Sequence, residues 1–260
     1  MINRMKEVFT YRNMIAGLVR RDLRGRYKGS ILGFLWNLVN PLCQIVVYTI
    51  VFTNIFVRKE IDHYYLFLVI GMMPWLFFSD SLSQGSGCIV AQADMTKKIY
   101  FPREILTIST VTSRFVNLLI TYIIVFFLIF VSGIGINLVA LFYLPIVLIV
   151  EYALALGFAL ILSAITVYFR DIEHITGILM MAMIWATPVM YRADMATGIV
   201  YKIVRMNPMT PIIEAYKNIL YYKVPPNMSA LTGVTILSIV ILIAGEFIFA
   251  RLEGNFAEEL

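Results

Sequence analysis

ILTISTVTSRFVNLLITYIIVFFLIFV, residues Ile105–Val131, carries one charge, Arg114, in 27 positions. A helix needs about 20 mostly apolar residues to cross a bilayer, and in hydrocarbon only a backbone bonded within itself survives. This run therefore reads as a membrane span. Five more runs meet the same test: 31–57, with Asn40-Pro41 as a kink; 64–90, holding Gly71, Pro74 and Asp80; 138–169, entered through the Ser132–Asn137 turn; 175–191; and 230–250. Composition agrees, since 60% of the 260 residues are hydrophobic, 14% are charged and mean hydropathy is +0.84. Water-soluble domains carry roughly 25% charge. The expectation is an all-α integral membrane protein, one transmembrane domain over 1–260, with six transmembrane helices.

Positively charged connections stay cytoplasmic. Of the 21 Lys and Arg, eight lie in residues 1–30, three in 91–104 and one each in 170–174 and the C-terminal tail; only seven lie in the opposite connections. Both termini are thus expected on the cytoplasmic side of the membrane, and no removable signal peptide is expected. Within residues 11–28, Ile15, Val19, Leu23 and Tyr27 recur every four residues, with Arg20, Arg21 and Arg24 off that line. Such a helix lies in the membrane interface. It serves as an orientation signal or as a collar around a cytoplasmic entrance.

Residues 192–229 are too long for a turn and too polar to span. Thr210 and Pro211 suit a helix start, and Ile212, Tyr216, Ile219 and Leu220 follow at helical spacing. Residues 195–222 fit two short re-entrant outer helices before the last span, or a loop lying on the bilayer.

Reactive constellations are missing from the sequence: it has no HExxH metal site, no GxSxG nucleophile turn, no cysteine-histidine cluster and no phosphate-cradling GxxxxGK[ST] loop. An enzyme is therefore not expected, and any ATP would bind another chain. Cys43 and Cys88 lie in apolar runs and read as small hydrophobes. A charge inside a span costs about 2.5–3.5 kcal/mol unless paired or hydrated. Arg114 and Glu151, in successive antiparallel spans, lie within reach of each other and are expected to form an intramembrane ion pair, or else a relay. Asp80 and Glu246 lie near span ends, where they can snorkel to water.

One connection is unusual: KKIYFPREIL, residues 97–106, puts three cations, two adjacent aromatics and a proline between two spans. Together with Arg26-Tyr-Lys-Gly-Ser-Ile-Leu-Gly-Phe-Leu-Trp36, Asn40-Pro41, Tyr168-Phe-Arg-Asp-Ile172 and Asn207-Pro-Met-Thr-Pro-Ile-Ile-Glu214, it resembles the permease subunit of ATP-binding-cassette exporters for cell-surface polysaccharides, the O-antigen and teichoic acid type of the ABC-2 superfamily. These segments occur in the family's order along nearly the whole chain. Thr107 departs from the family, which often has proline there.

The resemblance implies a coupling helix at 94–104 seated in an ATPase subunit. There Lys97 and Lys98 would meet an acidic rim, Tyr100 and Phe101 would be apolar anchors and Pro102 would set the angle into the next span, with Arg103 and Glu104 completing the coupling segment. It implies a substrate entrance at Arg20, Arg21, Arg24 and Arg26, drawing a lipid-pyrophosphate head, and an outer gate at Pro211, Ile212, Tyr216 and Ile219. It also implies a second copy of the chain, two nucleotide-binding subunits holding ATP and Mg, no cofactor in this chain, a lipid-linked polysaccharide as cargo, membrane lipids as surroundings and no nucleic acid. The location would be the bacterial inner membrane. A permease for teichoic acid, a drug or a small lipid shares the six-span plan.

Overall fold

The computed structural model describes residues 7–25, 36–54, 61–98 and 101–259, and every regular element among them is helical. In chain order, α1 is Arg12–Gly25, α2 Trp36–Asn54, α3 Tyr64–Gly87, α4 Ala93–Lys98, α5 Glu104–Ser132 and α6 Leu138–Leu141. Then follow α7 Leu144–Tyr168, α8 Asp171–Met183, α9 Gly198–Met206, α10 Met209–Leu220, α11 Met228–Leu252 and α12 Phe256–Glu259. Four stretches are long and apolar enough to cross a membrane: Tyr64–Gly87, Glu104–Ser132, Leu138–Tyr168 and Met228–Asn255. They fall within a few residues of four of the expected runs.

The other two runs differ. The 31–57 run is helical over Trp36–Asn54, and its remaining residues lie outside the described ones. The 175–191 run starts early, at Asp171, but its helix stops at Met183 and the chain turns irregularly to Tyr191. Pro188 supplies a reason: it lacks an N–H and disfavours helical geometry at Thr187.

α7 is the central post, packing most extensively on α11 and also on α3, α5, α8 and α10. The α7–α11 crossing is close because glycines face each other. A Cβ on Gly245 would sit 2.5 Å from the Gly157 carbonyl oxygen, and one on Gly157 would sit 2.7 Å from Leu242 N. Small residues let membrane helices approach where no hydrophobic force drives them together. The outward faces carry apolar residues at helical spacing, Ile123, Phe127 and Phe130 on α5 and Ile236, Ile239, Val240, Ile243 and Phe247 on α11, all exposed. Contiguous apolar surface of this extent needs lipid or protein to cover it.

Side-chain bonds tie the connections together at each end of the bundle. At the α10 end, Tyr221 Oη donates to the Asp62 carbonyl, Asn137 Nδ2 to the Lys223 carbonyl at 2.9 Å and Lys223 Nζ to the Ile134 carbonyl at 2.7 Å. At the α1 end, Tyr168 Oη donates to the Leu252 carbonyl at 2.9 Å. The KKIYFPREIL connection and the 192–229 segment thus sit at opposite ends.

Candidate functional site

Residues 195–222 fold into two short helices because one asparagine forms the joint. Asn207 Oδ1 accepts the Met209 N–H at 2.9 Å, opening α10, while its Nδ2 donates to Thr187 Oγ1 at 2.7 Å and to the Ala186 carbonyl at 3.2 Å. Thr210 Oγ1 donates to the Val204 carbonyl at 2.5 Å, fastening α10 back to α9. The Asn-Pro-Met-Thr-Pro stretch therefore binds the start of α10 to the irregular chain after α8.

α10 is buried nearly all round, with Ile212, Tyr216 and Ile219 each at 2% exposure or less. Only Pro211, Glu214 and Asn218 remain open, a single stripe at i, i+3 and i+7. The four residues expected to form an outer gate thus lie on one helix, three of them locked inside the chain's own packing and Pro211 on the open stripe.

Lys217 is the residue the sequence reading missed. Its side chain is buried, and Nζ donates to the carbonyls of Pro188 at 2.5 Å, Val189 at 3.0 Å and Tyr191 at 3.3 Å. The amine also lies 3.6 Å from the centroid of the Phe67 ring, where the negative face of the π-system attracts it. These carbonyls belong to the broken end of the 175–191 run. Irregular backbone at membrane depth is tolerated only where protein satisfies it. Gly71 makes the room: a Cβ there would lie 2.9 Å from both Lys217 Cε and the Val189 oxygen.

Arg114 and Glu151 do not meet. Tyr216 Oη donates to Glu151 Oε2 at 2.6 Å, and the Tyr216 ring stacks on Tyr122 at 5.8 Å between centroids. Arg114 instead donates to Gln84 Oε1, and its Nη1 stands 4.0 Å from Asp22 Oδ2. The expectation of an ion pair counted axial register alone. The stripe of α5 that faces α7 holds Thr112 and Phe115, whose partner is Tyr152, and Arg114 lies about 100° or more round the helix from it.

At the α1 end, α4 is described over Ala93–Lys98, residues 101–103 are not helical and Glu104 already belongs to α5, so the expected 94–104 helix is interrupted. Pro102 lies in the break. Lys97 and Lys98 close α4; Tyr100 and Arg26 lie outside the described residues. Phe101 is buried in a cluster with Leu106, Phe249 and Phe256, so it faces its own chain rather than outward as a partner's anchor. Arg103 follows it: its N–H donates to Glu253 Oε1 at 2.9 Å, and Nη1 donates to the Glu253 carbonyl at 2.7 Å. Glu104 is buried too.

Arg20, Arg21 and Arg24 are exposed on α1, with Arg21 donating to Gln92. The opposite side of α1, with Tyr11, Met14, Ile15 and Leu18, packs on the same cluster as Phe101. Its apolar face is therefore spent on the bundle, where the spacing alone suggested acyl chains.

Among the described residues no group of three His, Cys, Asp or Glu side chains is placed to hold a metal. Several buried polar groups, Asn207, Tyr216 and Lys217 among them, fasten helix ends and crossings. The chain belongs to the ABC-2 type transporter family, whose defining pattern matches residues 14–221. It is 32% identical over 270 residues, 100% of both chains, to a protein of Myxococcus xanthus named O-antigen export system permease protein RfbA. Two proteins of the same name from Klebsiella pneumoniae are 30% and 29% identical over 248 residues, 95% of each chain.

Proposed function

We propose that this chain is the membrane permease of an ATP-binding-cassette exporter for lipid-linked cell-surface polysaccharide of the O-antigen kind, in the bacterial inner membrane. The observation that carries the reading is likeness from end to end to proteins named O-antigen export permeases. In this reading α2 and α8 complete six crossings, both termini and residues 97–106 face the cytoplasm, and α9 and α10 dip in from the outer face. Two copies pair around the path. Two ATPase subunits bind ATP and Mg beneath them, and this chain holds no cofactor.

Each end then has a task. Lys97 and Lys98 at the end of α4 meet the ATPase, while Phe101, Pro102, Arg103 and Glu104 pass its movement inward through the contacts they make with their own chain. Arg20, Arg21 and Arg24, with Arg26, draw the pyrophosphate of the lipid carrier by charge-assisted hydrogen bonds. Ile212, Tyr216 and Ile219 hold the outer closure. With α10 buried against α3 and α7, opening moves it together with them.

The test is co-purification from native membranes with this chain tagged, alongside a Lys97→Glu/Lys98→Glu variant, and surface polysaccharide measured in a strain lacking the chain. A nucleotide-binding subunit recovered one-to-one with wild type and lost with the variant, together with loss of surface polysaccharide on deletion, is expected. Recovery of wild type alone in mild detergent would sink the two-component reading. Polysaccharide unchanged on deletion would turn the cargo to teichoic acid, a drug or a small lipid.

A further inference from the structure

The open stripe of α10 is not bare surface. Glu214 and Asn218 floor a cavity of about 350 Å³ at the α10 end, walled by Tyr191, Arg192, Asp194 and Tyr222. A second cavity of about 590 Å³ shares Asp194 and Glu214 with it. Both volumes fall in the range of small-molecule sites, roughly 300–1,000 Å³. The first cavity is an open groove with room for a small ring.

Its chemistry selects among ligands. Tyr191 and Tyr222 bring aromatic faces, and Tyr222, 42% exposed, is open to anything entering. The Tyr191 hydroxyl is already committed, donating to the Trp185 carbonyl at 2.9 Å, which fixes the ring at the mouth. Aromatic rings pack against apolar C–H faces, while a carboxylate and an amide offer acceptors and donors for paired hydroxyls. A pyranose presents that combination. A phosphate is disfavoured: Arg192 is paired with Asp194 at 2.6 Å, the Lys217 amine is turned to three carbonyls, and Glu214 adds a negative charge facing the groove.

We propose that this groove is an exit subsite for uncharged sugar units, holding the emerging glycan by stacking on Tyr191 and Tyr222 and by hydrogen bonds to Glu214 and Asn218. The inference rests on the export function proposed above and adds where the cargo touches the outer end. Binding there keeps an extruded segment from sliding back between ATP cycles. Every unit offers a ring face and hydroxyls, so the site needs no unique sequence of sugars.

The experiment uses the full chain in its own cell, where its own glycan is the probe. Tyr222 is replaced by the photo-crosslinker p-benzoylphenylalanine, with Ile239, on the outward face of α11, replaced likewise as control. Illumination is expected to give a ladder of adducts at position 222, absent at 239 and collapsed by periodate, which cleaves vicinal diols. Adding Glu214→Gln and Asn218→Ala should cut the ladder about tenfold, the scale of losing a charged hydrogen bond, with recovery of the ATPase partner unchanged. A single small shift insensitive to periodate would mean lipid and overturn the sugar assignment. No ladder at 222, in cells where deleting the chain abolishes surface polysaccharide, would overturn the subsite while leaving the export reading standing. Surface polysaccharide unaffected by deletion would overturn both.

Discussion

Replacing Gly245 by alanine tests the α7–α11 crossing that organises the bundle. The added Cβ would meet the Gly157 carbonyl oxygen at 2.5 Å, and Gly157 Cα and C at 3.3 Å; these are backbone atoms that cannot swing aside. Ordinary contact begins at 3.4 Å, so the helices must part by roughly 0.9 Å. A gap of that size forfeits a quarter to a half of each contact's dispersion energy, and overpacking of this kind costs about 1–3 kcal/mol. Alanine also recovers about 1 kcal/mol of helix propensity. Gly233→Ala on the same helix isolates the clash, because it gains that propensity while nothing lies within 4 Å of its Cβ. Heating the two variants in detergent with a thiol-reactive dye follows unfolding through the buried Cys88, in a Cys43→Ala background that removes the exposed thiol. At about 2–4 °C per kcal/mol for a chain of this size, Gly245→Ala should melt roughly 2–12 °C below Gly233→Ala. Equal midpoints would refute the close crossing.

Lys217→Met should strip three carbonyls, those of Pro188 and Val189 buried, of their donor and cost several kcal/mol, each unsatisfied buried group being worth about 1–3; a monodisperse protein of unchanged melting point would contradict it. Tyr216→Phe, which removes the hydrogen bond to Glu151, should cost about 1.5–3 kcal/mol by the same melting assay, and a change below about 0.5 would count against that bond. A double-mutant cycle of Arg114→Met with Glu151→Gln should show coupling within about 0.5 kcal/mol, since the two side chains do not touch; a larger value would restore the ion pair. Phe101→Asp should destabilise the chain itself, seen as lower yield and midpoint in the absence of any ATPase subunit.

The long spans were legible because hydrocarbon imposes one rule on every residue of a run, and 105–131 obeys it without help from elsewhere. What the runs do not state is which way each side chain turns. Arg114 and Glu151 lie at compatible depths on helices that do pack, yet a rotation of about 100° sends them to different neighbours. The early end of α8 depends on groups far along the chain, since Asn207 and Lys217 supply the donors that its turning segment needs. A signal for Lys217 was present: it shares a stripe with Ile213 and Leu220 at helical spacing, and a cation on an apolar stripe asks for an acceptor. The anchor role of Phe101 comes from the family resemblance alone, which carries no information on what the side chain packs against in this chain. Phe249 and Phe256, about 150 residues further along, have no visible link to it in the sequence.

The ties at the α1 end have a mechanical consequence. Arg103 grips Glu253 by two hydrogen bonds, Phe101 is embedded with Phe249 and Phe256, and Tyr168 holds the Leu252 carbonyl. The start of α5 and the ends of α7 and α11 are thereby riveted into one plate. None of these three helix ends can slide past the others without breaking a hydrogen bond or opening the aromatic cluster, so a load on Phe101 or Arg103 falls on all three at once.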